Sequence, residues 1–218
     1  DILTKLYRLT RKADVEQLAI KAYLDAIQHA EKSGHIGPIA PLRWKAAKAY
    51  DDIGDYAEAA ANFRKAAESY RLLVQKIPSC CSSAFDENAA YMDAWAEIMR
   101  ARLNHGEEEY SSAAENYMEA ARILQATGAK HFAGFQIISK HYVACSFLEK
   151  GEALSKHEKE DLAVESFSAA LTTLHETRAG LESRLTATLE SEEKHELEYW
   201  LQVTKNKEQY CLGRTPLE

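Results

Sequence analysis

An all-α fold of stacked antiparallel helical hairpins is what this 218-residue sequence predicts, and three observations predict it. The four prolines are Pro38, Pro41, Pro78 and Pro216, so more than a hundred residues separate the last two with no helix breaker between them. Gly34, Gly54, Gly106, Gly128 and Gly180 each follow a stretch with apolar residues at three- and four-residue spacing, where a left-handed helix cap is expected. A small, aromatic, small pattern then recurs four times. Strand-like alternation bounded by turns is absent.

Taken in order, helices are expected at about 14–33, 40–53, 55–77, 86–105, 109–127, 130–155, 158–178 and 181–211, with residues 2–12 adding another turn or two. Asp14 followed by Gln17 has the form of a capping box, and Pro41 suits the first turn of its helix. Connections are short, so sequential helices should pack as hairpins. The sequence reads as one helical-repeat domain over 1–218, with units near 1–34, 40–78, 86–128 and 130–179 and a long C-terminal helix over 181–212.

The stretch YAEAAANFRKAAESY at residues 56 to 70 places Ala59, Phe63 and Ala66 on one helical face. The same spacing returns at Ala19, Tyr23, Ala26; at Ala113, Tyr117, Ala120; and at Ala163, Phe167, Ala170. Two helices approach closely only where side chains are small, and an aromatic ring fills the space between successive hairpins. The rings at 23, 63, 117 and 167 stand 40, 54 and 50 residues apart, the length of a unit made of two long helices.

With these residues in view, the chain resembles the tetratricopeptide-repeat superfamily. The closest unit is APLRWKAAKAYDDIGDYAEAAANFRKAA at residues 40 to 67, with Ala47 and Tyr50 on its first helix, GDY at the turn, and Ala59, Phe63 and Ala66 on its second. FLEKGEAL adds Phe147, Gly151 and Leu154 at the spacing of the family's first helix. The family's period is near 34 residues, so these longer units are more similar to the soluble NSF attachment proteins. The resemblance implies a right-handed superhelix of about eight or nine helices whose first helices line a concave face.

A formal charge of -7 with no basic run argues against a nucleic-acid partner, because Lys and Arg supply most of the affinity for a phosphate backbone. Cys80, Cys81, Cys145 and Cys211 read as reduced thiols of a cytoplasmic protein, in a chain large enough to build a core without disulfides. No stretch approaches the ~18 apolar residues that cross a bilayer, and membrane contact is not expected. The start at Asp1 without Met suggests a module of a longer polypeptide.

Phosphate-cradling loops and hydrolase elbows are missing from the sequence. Glu192 and His195 have Glu-x-x-His spacing, yet no other histidine has Glu three residues earlier, so a solvated helix face is expected there. His141 and Cys145 sit one turn apart and could form half of a zinc site, but without a partner motif they read as core or groove residues. Cys80–Cys81 has only Lys76 nearby to activate a thiolate. Clusters such as Glu107, Glu108, Glu109 and Glu190, Glu192, Glu193 read as solvated surfaces, and Ile36 and Ile39 in GHIGPIAPL as residues packed under the next hairpin. No metal or cofactor is expected.

Trp44 and Trp95 carry the functional expectation. Both lie on the first helix of a unit, followed at equal offsets by Lys48 and Asp51 and by Met99 and Arg102. Such a face would grip a peptide or helix, unless the tryptophans belong to the core between hairpins. The reading is therefore a noncatalytic scaffold for a protein or peptide partner. The alternatives are a trafficking adaptor of the attachment-protein kind, and a metal- or ligand-binding sensor seeded by His141 and Cys145. Tyr199, Trp200, Leu201 and Val203 leave the last helix apolar enough for self-association or for a downstream neighbour.

Overall fold

A computed structural model describes residues 2–76, 82–127, 134–188 and 191–215, with side chains described at all of these except 2–13, 134, 191 and 192. Cys80, Cys81, Pro78, Gly128 and Glu190 lie outside the described residues. The described residues form eight α-helices and no strand: α1 (Ile2–Lys32), α2 (Ile39–Asp52), α3 (Tyr56–Val74), α4 (Ser83–Gly106), α5 (Tyr110–Thr127), α6 (Gly134–Lys156), α7 (Glu160–Ala187) and α8 (Ser191–Arg214). The chain divides into two compact units, Asp1–Arg100 and Ala101–Glu218, with the boundary inside α4.

In the first unit α2 packs on α1 and α3. Alanine makes this possible, since Ala40, Ala46 and Ala47 on α2 and Ala59 and Ala66 on α3 are wholly buried and hold the backbones close. Phe63 is 1% exposed and stacks on Trp95 of α4 at 5.9 Å between centroids. Arg43 ties the three helices by donating to Glu31 Oε1 at 3.1 Å and to the buried Asn62 Oδ1 at 3.4 Å. Asp55 caps α3 by accepting from the Glu58 amide at 3.1 Å.

In the second unit α6 packs on α5 and α7, and α7 on α8. Tyr117 of α5 stacks on Tyr142 of α6 at 5.8 Å, and Phe167 of α7 is buried with Ala163, Ala170, Ala144, Leu148 and Cys211. Gly151 of α6 lies directly against that ring: a Cβ there would meet Phe167 Cε1 at 2.5 Å. An alanine would ordinarily stabilise a helix interior by about 1 kcal/mol over glycine. Here Gly151→Ala is expected to cost ~1–3 kcal/mol as overpacking, because Phe167 is enclosed and has nowhere to turn. Urea unfolding checks it: in a Phe167→Leu background the same substitution should become neutral or stabilising, and a gain in the wild-type background would show the contact to be slack.

One turn geometry repeats. After α2, α4 and α6 the residues Gly54, Glu108 and Glu158 take positive φ (80°, 59° and 57°), and the next amide reaches five residues back, Asp55 to Tyr50, Glu109 to Asn104 and Lys159 to Leu154, at 2.8–3.0 Å. Phe63, Tyr117 and Phe167 each stand nine residues beyond that turn, so the sequence motif and the backbone share one register. This is the structural signature of a helical repeat.

The first motif copy departs from it. Tyr23 and Ala19 are half-buried and Ala26 is exposed, while α1 buries Ile20, Ile27 and Ala30 against α2. Rings 63, 117 and 167 follow a first helix and its turn, whereas Tyr23 lies inside the opening helix with no such helix before it among the described residues. Asp14 is likewise interior to α1 rather than its cap, because no glycine or proline interrupts residues 2–32. The expected stop at Gly180 is also absent. α7 runs on to Ala187 because its packing continues: Leu181 is 1% exposed and Gly180 faces Ile137 of α6. Gly106 is the last residue of α4 and not its left-handed cap, which falls on Glu108.

Candidate partner-binding face and a buried polar seam

The six residues expected to contact a partner separate into three environments. Trp44, Lys48 and Asp51 lie on the side of α2 that bears its exposed residues Lys45, Lys48 and Asp52, with Trp44 half-buried and the Lys48 ammonium 5.9 Å from its ring. Trp95 is half-buried too, but it is stacked on Phe63 and met edge-on by Tyr91 at 6.1 Å. Met99 is 0% exposed and cannot touch a partner. Met99, four residues on, shares the face that puts Trp95 over Phe63 and is turned inward with it, which the sequence offsets alone do not reveal. Arg102 belongs to the second unit, half-buried near His141 and Cys145.

His141 and Cys145 belong to a polar seam between α6 and α8. His141 is 2% exposed, its Nδ1 is 3.2 Å from Thr204 Oγ1, and Tyr142 and Trp200 meet its ring edge-on at 5.4 Å. Burial, helped by the Lys207 and Arg102 charges, pushes its pKa down to about 3 and keeps it neutral. Burial pushes the Cys145 thiol up and the Cys211 thiol up to about 11. A nucleophilic pair requires the opposite, a depressed thiol beside a protonated imidazole.

Two buried carboxylates extend the seam. Glu149 is 4% exposed with Oε2 2.9 Å from His105 Nδ1, and burial raises its pKa despite that contact. Glu208 accepts from Arg178 at 2.8 Å and faces His175 Nε2 at 3.8 Å. Sequence reading passed over both. His141, Cys145 and Glu149 do form a four-residue ladder on α6, a detectable signal, but nothing in KNKEQY marks Glu208 as interior.

His195 is exposed, and Glu192 lies among the residues whose side chains are not described. Among the described residues no three of His, Cys, Asp and Glu come together as a metal site would require. Ile36 and Ile39 are half-buried, and Glu107, Glu108 and Glu109 exposed. No helix among the described residues is long and apolar enough to cross a membrane.

By its recurring turn, ring and hairpin, the chain is an all-α helical-repeat protein. No protein-family model matches it, and no curated protein does. Among solved structures it is similar to a de novo designed helical repeat protein, at 15% identity and a TM-score of 0.49, over 94% of each chain.

Proposed function

We propose that this protein is a noncatalytic interaction scaffold, of the tetratricopeptide kind with attachment-protein-like long units, that holds a peptide or helix of a cytoplasmic partner protein on the side of α2 that bears Trp44 and Lys48. The observation that carries the reading is Trp44, half-buried on a helix whose other sides pack on α1 and α3, with Lys48 over its ring. A tryptophan so placed offers a rigid apolar surface with a cation beside it, the composition of an interface anchor. The buried, neutral His141 and protonated Cys145 favour a structural rather than a reactive role for the second unit.

Peptides selected from a displayed library on the intact chain provide the test. Trp44→Ala is expected to weaken their binding at least about tenfold, equal to ~1.4 kcal/mol, with little change in melting temperature. Undiminished binding, or a stability loss as large as that of a core variant, would move Trp44 to the interior and remove α2 as the binding face.

A further inference from the structure

The surface around Trp44 is locally positive. Lys48 lies one helical turn beyond Trp44 with its ammonium 5.9 Å from the ring, and Lys45 is exposed beside both. In the first unit Arg43, Arg64, Arg71 and Arg100 are each engaged by a carboxylate, of Glu31, Glu97, Asp93 and Glu97 in turn. Lys45 and Lys48 differ: neither has an ion pair among the described residues. They are like charges three residues apart on one helix, a spacing at which side chains meet and these two repel. Asp52 follows Lys48 by one turn at the last residue of α2, with the cation ahead of the anion, the order that pairs less well on a helix.

The start of α2 adds to the positive side. Its first turn holds no acidic residue, and Pro38 at the N-cap offers no side-chain acceptor, so the positive end of the helix dipole is uncompensated there. Glu31, the acid that α1 brings to this end, is already held by Arg43 at 3.1 Å. In a chain whose net charge is -7, the first half of α2 thus sets two unpaired cations around an indole ring.

We propose that the segment held on α2 is acidic: an apolar side chain seats on Trp44, and aspartate or glutamate side chains on either side of it pair with Lys45 and Lys48. The inference rests on α2 being the binding face and adds the chemistry of what binds there. Complementary charge decides which segments are accepted and how fast they arrive, more than how tightly the anchor holds. The preference runs against the chain as a whole, whose negative field attracts basic segments and repels acidic ones. Enrichment of acids is therefore a local property of α2.

A library of random peptides displayed on phage and sorted on the full chain tests it. Peptides that the wild type retains and that Trp44→Ala releases should carry Asp and Glu around one apolar residue. Resynthesised with Asn and Gln in place of those acids, they should bind on the order of tenfold more weakly. Lys45→Glu combined with Lys48→Glu should weaken the acidic forms by a similar factor and should favour versions with lysine in place of the acids. Lys65→Glu combined with Lys205→Glu, at two exposed positions outside α2, changes the net charge equally and should leave affinity within about twofold, because charges beyond the screening length act weakly. An equal loss in that control would assign the effect to net charge and overturn the proposal. Trp44-dependent peptides that are neutral or basic, or acidic ones that the Lys45, Lys48 double variant binds as well as the wild type does, overturn the acidic partner while leaving α2 as the binding face. Retained peptides indifferent to Trp44→Ala overturn the face and the acidic partner together, as does a library from which the chain retains nothing.

Discussion

Phe63→Ala is expected to destabilise the first unit by ~3–5 kcal/mol, a large share of the ~5–15 kcal/mol that holds a typical domain folded. The ring is 1% exposed, lies between Ala59 and Ala66 on its own helix, and stacks on Trp95. Removing it forfeits the buried area and the stacking and leaves a cavity. The cavity cannot collapse easily, because the methyl-sized neighbours already hold the backbones close. Phe63→Leu should cost appreciably less, as the volume is mostly retained. Urea unfolding followed by tryptophan fluorescence reports this directly, since Trp95 loses its stacking partner. A loss below ~1 kcal/mol would show that the ring is not the wedge between α3 and α4.

Acid is expected to unfold the second unit through His141. Its pKa in the folded chain is about 3, below the ordinary value of 6.5, so between those values the unfolded chain binds a proton that the folded chain refuses. The stability associated with the neutral ring is therefore complete above pH 6.5 and is lost as pH falls. The slope is ~1.4 kcal/mol per pH unit, or on the order of 3 kcal/mol by pH 4.5. Lys207 and Arg102 act in the same direction as burial, since both oppose a second positive charge. Glu149 works the other way: its raised pKa contributes stability at low pH that is lost as pH rises through the raised value. Denaturation at pH 7.5, 6 and 5 should show a steep decline in the wild type and a shallower one in His141→Gln. Equal slopes would mean that other groups carry the acid sensitivity.

Much of the fold was legible in the residues because its signals are local. The spacing of Ala59, Phe63 and Ala66 is a helical period, and the turn nine residues before Phe63, Tyr117 and Phe167 needs only a residue that tolerates positive φ. Glutamate meets that need at 108 and 158, which is why glycine alone placed one cap two residues early, at 106, and offered none at 158. Gly180 misled for the complementary reason: a glycine inside a helix is also what close packing selects, and Ile137 stands against it. The candidate site was less legible. Trp44 and Trp95 have the same local setting, and what separates them is that Phe63 lies under one of them.

By itself, then, the sequence determined an all-α chain of long helices, the repeating wedge of ring and alanine, and a charge that disfavours nucleic acid, because these depend on periodicity and composition. Only the tertiary structure decided which apolar residues are shared between helices. It buried Met99, stacked Trp95 on Phe63, left Trp44 beside Lys48 on α2, and closed His141, Glu149 and Glu208 into a seam. Burial is a property of what lies opposite a residue, and the partners there are sixty-three residues away for His141 and thirty-two for Phe63.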